Sequence, residues 1–239
     1  MTPKTRSWPL RLLRFAGWLI LLGFMLSVAV VAALRWIDPP LSAFMLRDRV
    51  VAYARHDTHY VFHHRWVDWQ GISPQAKIAV MAAEDQTFPD HDGFDFKSIN
   101  KALEERESGR RVRGASTISQ QVAKNLFLWP GQSWVRKGLE AYCTLLIEML
   151  WPKQRILEVY LNVAEFGKGV FGVGAASDVY FHKSAAKLTA YDAALLAAVL
   201  PSPKRMRVNA PSRYVKSRQA WIVAQMRRLG GTDLLARLE

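Results

Sequence analysis

The sequence IAVMAAEDQTFPDHDG, residues 78–93, contains six apolar residues that run directly into a dense polar cluster. Ser73 followed by Pro74 is a typical helix start, and the apolar run predicts that this helix extends to the cluster. Glu84 and Asp85 then lie near apolar side chains and the negative end of the helix dipole. Both surroundings disfavour a charged carboxylate, so the segment predicts a raised carboxyl pKa, as a general base or acid requires. A solvated acidic loop is the alternative.

A second polar segment is RGASTISQQVAKN, residues 113–125, a basic, glycine-containing loop that runs into a helix capped by Ser116. The free backbone N–H groups at such a helix start are a site for phosphate. Gln121 and Lys124 are three residues apart and share a helix face, so both could reach one ligand. An ordinary capped helix with exposed polar residues is the alternative.

A third polar segment is RKGLE, residues 136–140, in which Arg136 and Glu140 project to one side of a helix. Two cations beside one carboxylate could bind a diphosphate while they keep the carboxylate ionised. An ordinary surface ion pair has the same sequence and contributes only about 0.3–0.5 kcal/mol.

The N-terminus predicts a membrane anchor. Residues 15–34 form an uncharged run of twenty residues, enough for a helix to cross a hydrocarbon core of about 30 Å. The basic residues before it predict a cytoplasmic tail over 1–14, with the rest of the chain on the other side. Residues 35–58 are interpreted as a connector and 59–239 as the catalytic domain. A signal peptide is the alternative for the apolar run.

Composition limits the partners. The 239 residues are 50% apolar, so a core is available, and the net charge is +13, of which residues 1–34 carry +4 and residues 35–239 carry +9. Such a basic domain favours phosphorylated substrates or acidic lipid headgroups, and its predicted place outside the cytoplasm argues against nucleic acid. The single cysteine, Cys143, excludes an internal disulfide and a cysteine-based metal site.

The remaining pattern is mostly helical. Alternation over residues 60–66 predicts a strand that carries exposed or stacked histidines; a metal site at His56, His59, His63 and His64 is the alternative. Further helices are predicted at 97–106, 116–127, from Ser133 to before Pro152, and at 153–162, 171–181, 189–199 and 211–229.

Five ordered motifs resemble the peptidoglycan glycosyltransferase family, found as monofunctional enzymes and as the N-terminal catalytic domain of class A penicillin-binding proteins. They are E-D-x-x-F-x-x-H-x-G at 84–93, G-x-S-T-I-[ST]-Q-Q at 114–121, R-K-x-x-E at 136–140, K-x-x-I-L-E-x-Y-L-N at 153–162 and G-V-x-G-V-G-A-A-S-x-x-Y-F at 169–181. Ser119 stands where threonine is common in the family, and it keeps the hydroxyl group.

The resemblance implies a mainly α, lysozyme-like, two-lobed domain that polymerises lipid II onto a nascent, polyprenyl-diphosphate-linked glycan strand. Glu84 would be the general base, and Glu140 the second essential carboxylate. The residues that would bind the substrates are Asp85, Phe88, His91, Arg113, Ser116, Thr117, Gln121, Lys124, Asn125, Arg136 and Lys137. No tightly bound cofactor is expected, although Mg²⁺ or Mn²⁺ could assist, and other cell-wall synthesis proteins are possible partners.

The resemblance also places the enzyme in the bacterial inner membrane, as a single-pass protein with a periplasmic catalytic domain. Residues 206–239 leave no room for a transpeptidase domain, so polymerisation without cross-linking is expected. A lytic transglycosylase and a non-catalytic cell-wall scaffold are the rival functions. The cations at 136–137 argue against the first, and the presence of both Glu84 and Glu140 argues against the second.

Overall fold

The computed structural model describes residues 8–108, 116–131 and 133–238, and the chain divides into two units, residues 1–37 and 38–239. The first unit contains helix α1 (Trp8–Ala33). Its part Arg11–Ala33 is long and apolar enough to cross a membrane, by length and composition. This confirms the predicted apolar N-terminal helix, which begins at Trp8 rather than at residue 15.

The second unit is mainly helical, as the sequence predicts, while the finer expectation of a lysozyme-like, two-lobed arrangement stays a prediction. Its helices are α2 (Ala43–Ala54), α3 (Pro74–Glu84), α4 (Phe96–Glu107), α5 (Ile118–Phe127), α6 (Trp134–Leu150), α7 (Lys153–Val163), α8 (Val173–Phe181), α9 (Ala190–Val199) and α10 (Arg213–Arg228). Short 3-10 helices lie at Trp69–Gly71, Phe88–Asp90, Ala185–Lys187 and Gly231–Leu238.

Helix α3 lies at the centre of the core. Its residues 76–82 are all buried, because the helix is apolar on nearly every side. Helix α3 packs against α9 and α10, while α5 packs against α6 and α7. Helix α3 is therefore enclosed by helices distant from it in the sequence.

Of the three helix caps predicted from the sequence, two are confirmed. Ser73 accepts a hydrogen bond from the backbone of Gln75, and Ser133 accepts one from Arg136, which begin α3 and α6 as predicted. The predicted Ser116 cap is wrong, because Thr117 caps α5 in a reciprocal pair with Gln120.

A small sheet has the order β1-β3-β2, with β1 (His63–His64) parallel to β3 (Val170–Phe171) and β2 (Glu165–Gly167) antiparallel to it. The strand predicted over 60–66 is correct only for its two central histidines, and β2 and β3 are not predicted from the sequence. The turn after β3 needs Gly172, whose φ is 80° and whose added Cβ would lie 2.6 Å from the carbonyl oxygen of Asn162.

The prediction that residues 35–58 are a connector needs a correction, because α2 occupies much of this segment. Helix α2 buries Met45, Asp48 and Ala52 and packs against α5. Its buried stripe is narrow and includes a charged residue, Asp48, which accepts a hydrogen bond from Tyr60 and binds Lys204. Hydrophobic periodicity alone therefore gives little sign of this helix.

We expect Asn162→Leu to lower the free energy of unfolding by about 3 kcal/mol, because Asn162 is fully buried and satisfies both backbone groups of Val67. Urea unfolding of the full chain in detergent measures this change. The exposed Asn209→Leu is the control and should alter stability little. An equal effect at both positions would contradict the assigned role of Asn162.

Candidate active site

Glu84 is the last residue of α3, and its side chain is only 14% exposed. Burial raises the pKa of its carboxyl group, an effect opposed by a hydrogen bond from Gln121 and by the positive charges of Arg218 and Lys124. The structure thus supports the raised pKa predicted from the sequence and makes burial its main cause.

The side-chain amide of Gln121 holds this carboxylate. Its Nε2 donates to Glu84 Oε2 over 3.1 Å, while its Oε1 accepts a hydrogen bond of 3.2 Å from the hydroxyl group of Tyr160. Tyr160 is buried, which raises the pKa of its hydroxyl group and keeps it a donor. Because Tyr160 occupies the amide oxygen, the amide nitrogen must point at Glu84.

Three residues predicted to bind substrate, Asp85, Phe88 and His91, also make contacts within the protein. Asp85 accepts a hydrogen bond of 2.9 Å from the backbone nitrogen of Ile118 and lies 3.1 Å from Nε2 of His91. Phe88 is fully buried, with its ring edge-on to His91. These contacts hold the chain that follows Glu84, and the substrate binding predicted for these residues stays a prediction.

The second carboxylate, Glu140, lies on α6 with its side chain 4% exposed. Arg136 Nη1 donates to Glu140 Oε2 over 2.7 Å, and Lys137 Nζ binds the other carboxylate oxygen. Arg136 is also buried, whereas Lys137 is 45% exposed. The alternative of an ordinary surface ion pair is therefore wrong.

Lys124 on α5 connects the two carboxylates electrostatically. Burial lowers the pKa of its ammonium group, while the negative charges of Glu140 and Glu84 oppose that shift. Its Nζ lies 5.9 Å from the ring centroid of Phe44 on α2. The helix missed in the sequence thus contributes to the environment of a predicted site residue.

The remaining predicted residues differ in accessibility. Ser116 is exposed, whereas Thr117 is buried and its hydroxyl group donates to the backbone oxygen of Gly93 over 2.7 Å. Asn125 is partly exposed on α5, next to Lys124. Arg113, the other predicted binding residue, lies outside the described residues.

A cleft of about 510 Å³ opens beside Glu84, lined by the end of α3, by α4, by the start of α5 and by α10. Sequence reasoning missed Arg218, which reaches this region from α10. Its Nη2 lies 3.5 Å from Glu84 Oε1 and 3.4 Å from the backbone oxygen of Ala83. No local signal marks Arg218, because the contact depends on how α10 packs on α3.

The arrangement can take a proton from a hydroxyl group at Glu84 and stabilise an anionic leaving group at the cations around Glu140. Among residues 8–108, 116–131 and 133–238, no group of three His, Cys, Asp or Glu side chains is placed to hold a metal ion. Within the same ranges, His63 and His64 lie in β1, and Cys143 is a half-buried free thiol.

Comparison with known proteins identifies related sequences. The transglycosylase family model matches residues 52–227. The biosynthetic peptidoglycan transglycosylase of Escherichia coli is 58% identical over 222 residues, covering 89% of this chain and 92% of the relative. The protein of the same name from Cronobacter sakazakii is 54% identical over 234 residues, covering 98% of this chain and 97% of the relative.

We expect Glu84→Gln to stabilise the chain at neutral pH. Since the folded-state pKa of Glu84 lies above the ordinary 4.5, the wild type loses stability as pH rises from 4.5 through the folded-state pKa. The variant should melt about 2–4 °C higher at pH 7, and the difference should shrink towards pH 4. Thermal melts at both values measure it, with the exposed Glu104→Gln as control. A gain of the same size at both values would contradict the raised pKa.

Proposed function

The chain belongs to the transglycosylase family and is a peptidoglycan glycosyltransferase that polymerises glycan chains, and on this premise we propose that Glu84 is its general base. We propose further that Glu140 and its neighbouring cations bind the diphosphate of the glycan donor. The observation that carries both assignments is the contrast between the two carboxylates. Glu84 is buried with a raised pKa, whereas Glu140 is bonded to Arg136 and Lys137.

The reaction joins a polyprenyl-diphosphate-linked glycan to the 4-hydroxyl group of lipid II. Glu84 takes the proton of that hydroxyl group while its oxygen attacks the anomeric carbon of the donor. The bond between this carbon and the diphosphate oxygen breaks, and polyprenyl diphosphate leaves with the electron pair. One displacement inverts an α-linked donor into a β-1,4 linkage, so no covalent enzyme intermediate is required.

Charge stabilisation comes from the chain's own cations. Negative charge develops on the departing diphosphate, and Lys124, Arg136 and Lys137 together exceed the single negative charge of Glu140. Glu140 does not act as a base; it binds Arg136 and Lys137 and so orients them to stabilise the departing diphosphate.

The expectation that no cofactor is tightly bound stays a prediction. Both carboxylate oxygens of Glu140 are engaged by cations, so this carboxylate does not fit as a ligand of a resident metal ion. Mg²⁺ or Mn²⁺ would therefore enter with the diphosphate oxygens of the substrate.

Three residues position Glu84. Tyr160 fixes the amide of Gln121, Gln121 holds one carboxylate oxygen of Glu84, and Arg218 lies near the other. The charge of Arg218 favours the ionised carboxylate, which is the form that accepts a proton.

The membrane anchor fits a substrate with a polyprenyl tail, which stays in the bilayer. In the described part of the chain, α1 is the one helix that is long and apolar enough to serve as such an anchor. We infer an inner-membrane location with the N-terminus in the cytoplasm and residues 38–239 in the periplasm. On α6, the exposed side chains of Trp134, Val135 and Met149 support contact of this helix with lipid.

We expect Glu84→Gln to lower kcat/KM for lipid II polymerisation by about 10²–10⁴-fold, because the amide cannot accept the proton. Glu140→Gln should also abolish most activity, since it leaves Arg136 and Lys137 without their carboxylate. Glycan products from purified full-length protein in detergent are resolved on gels. The exposed Glu104→Gln is the matched control and should polymerise as the wild type does. Polymer from Glu84→Gln at the wild-type rate would eliminate Glu84 as the base.

We expect Arg218→Met to move the acid limb of the kcat/KM profile to higher pH. The positive charge of Arg218 lowers the pKa of Glu84, so its removal raises that pKa and keeps the base protonated over a wider range. Arg218→Lys should restore most of the wild-type profile. Lys216→Met, an exposed change on the same helix, should leave the profile in place. Equal profiles for the Arg218→Met variant and the wild type would overturn this role.

A further inference from the structure

The wall of the cleft formed by α10 has no part in the chemistry described above. Trp221, Gln225 and Arg228 follow one another at spacings of four and three residues, so they lie along one edge of α10, and all three line the cleft. Arg218, three residues before Trp221, reaches Glu84 from the same helix. Trp221, Gln225 and Arg228 therefore lie progressively further along α10 from the residue that contacts Glu84.

The groups on this wall suit a sugar. Trp221 is 40% exposed and lines the cleft, so its aromatic side chain is accessible to a ligand there. Pyranose rings carry C–H groups on one face, which pack against the negative face of an aromatic ring. Gln225 and Arg228 add an amide and a guanidinium group, which can bind hydroxyl and N-acetyl groups.

The opposite wall is polar as well. Ser98, Lys101 and Glu105 line the cleft from α4. In a pocket for an apolar ligand, hydrophobic side chains predominate. This cleft has one exposed aromatic ring among hydrogen-bonding side chains, so it suits a polar ligand such as a sugar. The volume of about 510 Å³ lies in the range of sites that hold a small ligand, as a disaccharide requires.

The in-line geometry of the reaction indicates whether the cleft binds the donor sugar or the acceptor sugar. Inversion places the attacking oxygen and the departing diphosphate on opposite sides of the anomeric carbon. The cleft contains two other cations, Lys101 and Arg228, but the cations assigned to the diphosphate, on α5 and α6, do not line it, whereas Glu84 does. The sugar on the cleft side of Glu84 is therefore the one that attacks.

We propose that the cleft between α4 and α10 is a sugar subsite for the acceptor, in which Trp221 stacks on a pyranose ring of the acceptor disaccharide. The inference rests on the proposed function, because it uses the roles of Glu84 and of the cations. It makes Trp221 a binding residue that acts on acceptor affinity rather than on the chemical step.

The test is a single coupling between two lipid II analogues, with the full-length protein in detergent. One analogue lacks the 4-hydroxyl group of its distal sugar and can act only as donor. The other has a methylene group in place of its anomeric oxygen, cannot lose diphosphate, and acts only as acceptor. Varying one at saturating concentrations of the other gives a separate KM for each.

Trp221→Ala should raise the KM for the acceptor analogue about tenfold and leave the donor KM and kcat near the wild-type values. Trp221→Phe, which keeps an aromatic face, should recover most of the affinity. Tyr214→Ala is the matched control, since Tyr214 is an exposed aromatic residue of α10 that does not line the cleft. Circular dichroism melts establish that all variants fold.

A rise in the donor KM alone would overturn the proposal and assign the subsite to the growing strand. Unchanged KM values for both analogues in a folded Trp221→Ala variant would overturn sugar binding at this wall. Both results leave the proposed function intact, because the wild type still couples the analogues. A wild type that couples nothing would instead refute the function itself.

Discussion

The carboxylate of Asp85 ties the end of α3 to the start of α5, and the geometry of the site depends on this contact. It accepts a hydrogen bond from the backbone nitrogen of Ile118, at the N-terminal end of α5, where backbone donors lack partners within the helix. The neighbouring residue, Glu84, then faces Gln121 one turn further along α5. A substitution that loosened Asp85 would therefore displace the base from the amide that orients it.

The two carboxylates to which we assign catalytic roles, Glu84 and Glu140, lie in different electrostatic environments. Burial raises the pKa of the Glu84 carboxyl group more than its hydrogen bond from Gln121 and the charges of Arg218 and Lys124 lower it. The side chain of Glu140 is less exposed than that of Glu84, but two cations bind its carboxylate oxygens. Environments that differ in this way suit one carboxylate to exchange a proton and the other to hold cations in place.

Local signals in the sequence predicted the helix containing Glu84, the caps at Ser73 and Ser133, and the shared face of Arg136 and Glu140. Caps and helical spacing are properties of neighbouring residues, so a sequence displays them. Arg218 approaches Glu84 only because two helices distant in sequence pack together. Helix α2 was equally hidden, since it buries only a narrow stripe of residues. Burial also could not be predicted locally, so the complete burial of Phe88 is known only from the structure.

The cation cluster in the free protein is itself an argument for an anionic ligand. Arg136 and Glu140 are both buried, and removing two charges from water costs several kcal/mol per ion, which their attraction only partly offsets. Lys124 is a further cation whose pKa burial lowers, so the region has more positive than negative charge. Hydrophobic residues of similar size would stabilise the fold at least as well. A diphosphate bound there, as we propose, would supply the missing negative charge and so offset the cost of burying these ions.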